Sequence, residues 1–148
     1  MFIRSLISIL TVFLILSCDS DDASVQNALE LNRQKWQRQD IKNYSIQEKH
    51  LCFCAGLEWQ IFVQDGVKDT VIVSAPYVDY QPYADTFEKA RSIEEAFEFI
   101  QNFDTNNVDS FEVTYNSKYG YPTEISIDSK KGVADDEITF AYSNFSPN

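Results

Sequence analysis

Positive charge is scarce in this chain: 12 Lys and Arg stand against 23 Asp and Glu, a formal net charge of −11. So acidic a surface is repelled by phosphate backbones and by anionic headgroups, which excludes nucleic-acid binding and electrostatic adsorption to membranes. Histidine is represented by His50 alone. The two-histidine helix of zinc peptidases is therefore absent, and a hydrolytic triad would have to recruit an imidazole in no recognisable catalytic context. Glycine is limited to four residues, and none builds a phosphate-cradling loop or a nucleophile elbow. Long apolar runs are missing as well. The longest, Leu6 to Leu16, is interrupted by Ser8 and Thr11 and falls short of the roughly 20 residues a membrane span requires. No catalytic set is legible, no cofactor is implied, and the expectation is a protein that is not an enzyme.

What is present at the N-terminus has the form of an export signal. Arg4 precedes the short apolar run, and a small residue, Ser17, precedes Cys18. Ile15-Leu16-Ser17-Cys18 resembles the lipobox of bacterial lipoproteins, in which the cysteine is acylated and becomes the new N-terminus. It departs from the usual pattern by carrying Ile15 and Leu16 where Leu and a smaller residue are customary. A plain secretory signal would leave Cys18 without a role. The expected organisation is a signal peptide over residues 1–17, a lipidated Cys18 with an acidic tether over 18–24, and one globular domain over 25–148. Removing 17 of the 148 residues leaves 131, a common single-domain size, and loss of Arg4 takes the net charge from −11 to −12. The predicted location is the cell envelope, as an outer-membrane lipoprotein on the periplasmic or the outer surface. The acidic stretch Ser20-Asp21-Asp22 resembles signals that send some lipoproteins to the surface, although any polar tether would look similar.

Beyond the tether the pattern turns helical. Val25, Ala28, Leu29, Asn32 and Trp36 share one helical face to about Asp40, with Ser24 or Asp22 available to cap its start. Extended segments follow at 44–54, 58–64 and 67–75, the last two joined by Asp65-Gly66, a strong two-residue hairpin signal. Ser92 and Glu95 form a capping box at the head of a second helix, whose Ile93, Ala96, Phe97, Ile100 and Phe103 lie on one face. Three more strands are expected at 110–116, 123–128 and 137–142, and the Pro-containing stretch 76–91 reads as a loop. The predicted fold is α+β: an antiparallel sheet of about six strands with two helices on one face, in the order helix, three strands, helix, three strands. The order suggests one supersecondary unit used twice.

Trp36, Asn43-Tyr44-Ser45, Cys52-Phe53-Cys54, Val63-x-Asp65-Gly66-x-Lys68, Ser92-Ile93-Glu94-Glu95-x-Phe97, Val113-x-Tyr115, Gly120-Tyr121-Pro122-Thr123-x-Ile125-x-Ile127-Asp128 and Ala134-Asp135-Asp136-Glu137 occur in this order. The set resembles a family of bacterial exported proteins, domain of unknown function 6174, over nearly all of the mature domain. The resemblance implies the fold boundaries and export, and no activity. The element order is also similar to small periplasmic inhibitor-like domains of the PepSY and β-lactamase-inhibitor type, at fold level only.

Three groups of residues are candidates for function. His50, Cys52 and Cys54 alternate, so on one strand all three would share a face. An imidazole and two thiolates suit zinc or copper, yet a straight strand spreads them over roughly 13 Å. A Cys52–Cys54 disulfide suits an oxidising compartment but needs a bend, and buried free thiols are the third reading. Asp128, Asp135, Asp136 and Glu137 supply oxygen ligands for calcium without the spacing of a known calcium loop, and turn-shaping by Asp135 and Asp136 is the stronger reading. Tyr77, Tyr80 and Tyr83 suit recognition of an envelope protein or ligand, or a flap covering one end of the sheet. The leading expectation is a membrane-anchored, non-catalytic binding module. The alternative is a metal- or thiol-handling lipoprotein built on His50, Cys52 and Cys54.

Overall fold

The computed structural model describes residues 20–53, 56–74 and 86–148. Helix α1 spans Ser20–Gln37, and strands β1 (Tyr44–Leu51), β2 (Leu57–Gln64) and β3 (Val67–Val73) follow. A single-turn α2 (Thr86–Lys89) leads into α3 (Ile93–Asn102), a 3-10 turn at Thr105–Asn107, and strands β4 (Ser110–Tyr115), β5 (Pro122–Asp128) and β6 (Ile138–Pro147). All six strands form one sheet in the order β3-β2-β1-β6-β5-β4, antiparallel throughout. The α+β class and the helix–strands–helix–strands order are those expected from the sequence.

The element order repeats but the arrangement does not. A two-fold axis normal to the sheet would set β1 against β4, and a translated copy would set β6 parallel to β1. Instead β1 pairs antiparallel with β6, while α1 and α3 touch each other on one face, as Trp36 bonding Glu94 shows. The two halves are thus not copies of one spatial unit.

Strand alternation explains the core. Tyr44, Ile46 and Glu48 of β1, Trp59, Ile61 and Val63 of β2, Ile125 and Ile127 of β5, and Phe140 and Tyr142 of β6 all turn toward the helices and are buried. Against them α3 lays Ile93, Ala96, Phe97 and Ile100, the face its 3.6-residue period marks out. Ser92 accepts the Glu95 N–H while the Glu95 carboxylate accepts the Ser92 N–H, completing the capping box. Helix α1 buries Leu29 and Trp36. Trp36 sits edge-on to Tyr44, Tyr121 and Phe145, which ties the helix to both halves of the sheet.

Two of the turns show why the left-handed backbone that glycine favours is needed. Asp65 and Gly66 have φ of 52° and 78°, as the β2–β3 hairpin demands. Gly120 has φ of 90°, and a Cβ there would stand 2.6 Å from the Asn32 carbonyl oxygen, so glycine lets the β4–β5 turn lie flat on α1.

Several boundaries depart from expectation. Among the described residues helix α1 already includes Ser20, so residues 20–24 of the stretch read as tether are helical, and neither Asp22 nor Ser24 is its cap. Aspartates near a helix N-terminus complement the dipole, which is why an acidic stretch there is compatible with helix. Strand β1 ends at Leu51 rather than residue 54, with Cys52 and Phe53 in a bend. Strand β6 runs to Pro147, well past Tyr142, because a register shift between Ser45 and Gln47, with Asn144 at φ 52°, lets pairing resume.

Candidate functional site

The sheet has two contrasting faces. On the helix side, most buried polar groups bond one another, while the Trp59 indole N–H and the Tyr115 hydroxyl find no partner among the described residues. The Glu48 carboxylate, fully buried beneath the approach to α3, accepts the Arg91 backbone N–H at 2.7 Å, Arg91 Nη1 at 3.2 Å and the Tyr142 hydroxyl at 3.0 Å. His50 Nε2 lies 3.3 Å from the same carboxylate. The Arg91 guanidinium rests over the rings of Phe99 and Phe140, 4.3 and 4.6 Å from their centroids. Burial, and then the charge of Glu48, push the Tyr142 hydroxyl well above its ordinary pKa, so it stays a neutral donor.

Four residues earlier on β1, Tyr44 donates to Glu94 Oε2 at 2.6 Å and accepts the Ile93 N–H at 2.9 Å, while Trp36 Nε1 donates to Glu94 Oε1 at 3.1 Å. Lys68 reaches from β3 to the Ala90 carbonyl at 2.7 Å and to Glu95 at 2.9 Å. These bonds fasten the residue 90–95 segment to the sheet. Their chemistry is that of a latch that ties helix to sheet, with Arg91 and Glu95 also lining a shallow surface groove beside Glu98 and Phe103.

The opposite face is open. Ser45, Gln47, Lys49, Glu58, Gln60, Phe62, Thr70, Ile72, Glu112, Thr114, Glu124, Ser126, Thr139, Ala141 and Ser143 alternate with the core residues, and none of them is buried. Among the described residues no element covers this face. Its side chains form a shallow mesh of short bonds: Thr114 to Thr123 at 2.9 Å, Ser126 to Thr139 at 3.1 Å, and Gln47 bonded to Glu58, Ser143 and Asn144. Such a surface is flat, rich in hydroxyls and amides, and broken by the rings and methyls of Phe62 and Ile72.

Of the candidates named from the sequence, His50, Cys52 and the acidic group of the β5–β6 connection lie among the described residues. His50 faces the helix side, with its ring edge-on to Trp59 and Phe140 at centroid distances of 4.4 and 4.5 Å. Cys52 is past the end of β1, so the shared strand face that would align it with His50 ends before it; Cys54 lies outside the described residues. Cys18, Tyr77, Tyr80 and Tyr83 lie outside them too. In the β5–β6 connection Asp128 accepts the Lys130 N–H at 3.2 Å and Asp135 has φ of 69°, as turn-forming residues do. Among the described residues, no three His, Cys, Asp or Glu side chains are placed to hold one metal ion. Glu48, Arg91 and Tyr142 were not singled out by sequence reasoning. The available signal was parity: Glu48 falls in the inward set Tyr44, Ile46, Glu48, where an unpaired carboxylate could not stand.

These features define a small α+β domain with one closed, latched face and one open polar sheet face. The chain belongs to the family of unknown function DUF6174, whose model matches residues 28–147. Comparison with curated proteins and with solved structures gives no match.

Proposed function

We propose that this protein is a membrane-anchored lipoprotein of the cell envelope that binds a partner protein or ligand on the open face of its sheet, without catalysis. The observation that carries the reading is the asymmetry of the sheet: among the described residues one face is packed against α1 and α3, and the other has no buried side chain and no element over it. The single histidine is wedged between two aromatic rings against Glu48, which leaves it ill placed as a general base in a cleft. The proposed anchor is a lipid on Cys18 after removal of residues 1–17, and the proposed link between Cys52 and Cys54 is a disulfide that fixes the bend after β1. Tyr77, Tyr80 and Tyr83 remain proposed contributors to the binding surface.

Site-specific photocrosslinking in intact cells tests the reading. A photoreactive residue at Gln60 or Ser126 on the open face should yield a discrete adduct, and one at Glu98 on the exposed side of α3 should not. Adducts absent from both open-face positions, or equal at all three, would contradict it.

A further inference from the structure

The end of the sheet toward which α1 runs back carries four exposed apolar residues. Helix α1 lies along β4: its Asn32 carbonyl and Lys35 press on Gly120 and the Ser117 carbonyl at the β4–β5 turn, and Trp36 meets Tyr121 there. From Trp36 back to Ser20 the helix covers about 24 Å at 1.5 Å per residue. Along that course Val25 and Ala28 line a groove with Asn106, Val108 and Ser110. The start of α1 therefore lies at the end of the sheet where β4 begins, β5 ends, β6 begins and β1 ends, as the pairs Ser110 with Asp128 and Leu51 with Thr139 establish. At this same end Phe53 is 83% exposed, Leu51 44%, Val133 47% and Ile138 37%. Phe53 and Leu51 leave β1, while Val133 and Ile138 lie in and just after the loop that enters the adjacent strand β6.

We infer that this end is a membrane-contact face, with Phe53, Leu51, Val133 and Ile138 seated in the interface of the bilayer that holds the anchor. The inference rests on the proposed lipid at Cys18. Cys18 is two residues before Ser20, the first described residue of α1, and two steps of 3.8 Å allow at most about 8 Å of chain between them. A lipid so close to α1 leaves little tether, and the end of the domain from which α1 emerges must lie at the bilayer surface. Solvent-exposed Phe beside aliphatic residues is the chemistry that inserts ~5–10 Å into the headgroup and acyl boundary. Charge does not contribute attraction: Lys130 and Lys131 share this end with Asp128, Asp135, Asp136 and Glu137. The contact is therefore apolar, suits a zwitterionic surface, and is insensitive to salt.

The test uses the full lipidated protein reconstituted in phosphatidylcholine vesicles, with and without bromine on the acyl chains. Phe53→Trp and, separately, Val133→Trp place a reporter at the proposed face, and Val67→Trp places one in the hairpin at the opposite end; emission of the unsubstituted protein is subtracted. Emission from positions 53 and 133 should fall in brominated vesicles at both low and high salt, while that from position 67 should not. Protein that floats with the vesicles yet shows equal emission at positions 53 and 133 with both lipids overturns the face alone. Protein that does not float overturns the anchor and the face with it.

Discussion

The Tyr44 hydroxyl accepts the Ile93 backbone N–H at 2.9 Å, so a strand residue supplies a hydrogen-bond partner to the head of a helix 49 positions further along the chain. Helix N-termini carry backbone donors with no partner inside the helix. In α3 these are met from two directions: Ser92 serves Glu95 locally, and Tyr44 serves Ile93 across the core. Glu48 extends the pattern two residues upstream by accepting the Arg91 N–H. The approach to α3 and its first residue are held by β1 side chains four residues apart, Tyr44 and Glu48, which gives the latch a defined register on the sheet.

Removing the latch carboxylate should be costly. Glu48→Ala would leave the Arg91 guanidinium and the Tyr142 hydroxyl without their shared acceptor in a buried site. Breaking one partner of a buried ion pair costs about 3–5 kcal/mol. Urea unfolding of this variant should show a midpoint well below that of the parent with an unchanged slope. Glu48→Gln, which keeps the volume and part of the bonding, should lie between the two. A Glu48→Ala midpoint equal to the parent's would show that the cluster contributes nothing to stability.

Alkaline pH should unfold the domain through its buried tyrosines. Burial, followed by the charge of Glu94, raises the Tyr44 pKa far above its ordinary value; burial and then Glu48 do the same for Tyr142; and burial pushes Tyr115 up to about 12. A group whose folded pKa is raised contributes stability that is intact below its unfolded pKa, about 10 for tyrosine, and is lost as pH rises beyond it. Stability should thus decline from about pH 10 upward. Tyrosinate absorbance should appear in two stages, exposed rings first and the buried set together with loss of circular dichroism. Tyr44→Phe should shallow the decline of stability with pH. A single-stage titration with the fold intact would contradict this.

Much of the architecture was legible because local signals and burial agree. The Ser92/Glu95 capping box, the Asp65-Gly66 turn and the periodic face of α3 each name their own structure. The latch was less legible, since Glu48, Arg91 and Tyr142 meet only through pairings of β1 with β6 and with the approach to α3, and spacing along the chain does not encode such pairings. Parity alone marked Glu48 as inward. The length of β6 was hidden by Ser143-Asn144, a polar pair that reads as an ending and instead sits beside a bulge. The start of α1 was hidden because acidic residues suit a tether and a helix N-terminus equally well.

The cysteines separate the proposed disulfide from the metal- or thiol-handling alternative. A loop closed between Cys52 and Cys54 is so short that the bond removes little unfolded-state entropy, so reduction should change the melting temperature only slightly. Mass spectrometry of the unreduced protein should give a mass lower by two hydrogen atoms than the reduced form, with no stoichiometric metal by elemental analysis. Free thiols together with bound zinc or copper, and a melting temperature lowered by chelator, would instead make His50, Cys52 and Cys54 a metal site.

The membrane anchor underlies both the proposed function and the proposed contact face, and Cys18 tests it most directly. Cells producing the protein or its Cys18→Ser variant would be grown with a labelled fatty acid, fractionated, and probed for label and for chain length. The parent should carry the label, lack residues 1–17 and sediment with membranes, and the variant should be unlabelled and either unprocessed or released into the soluble envelope fraction. A Cys18→Ser protein that is fully processed and still membrane-bound would contradict the lipid anchor.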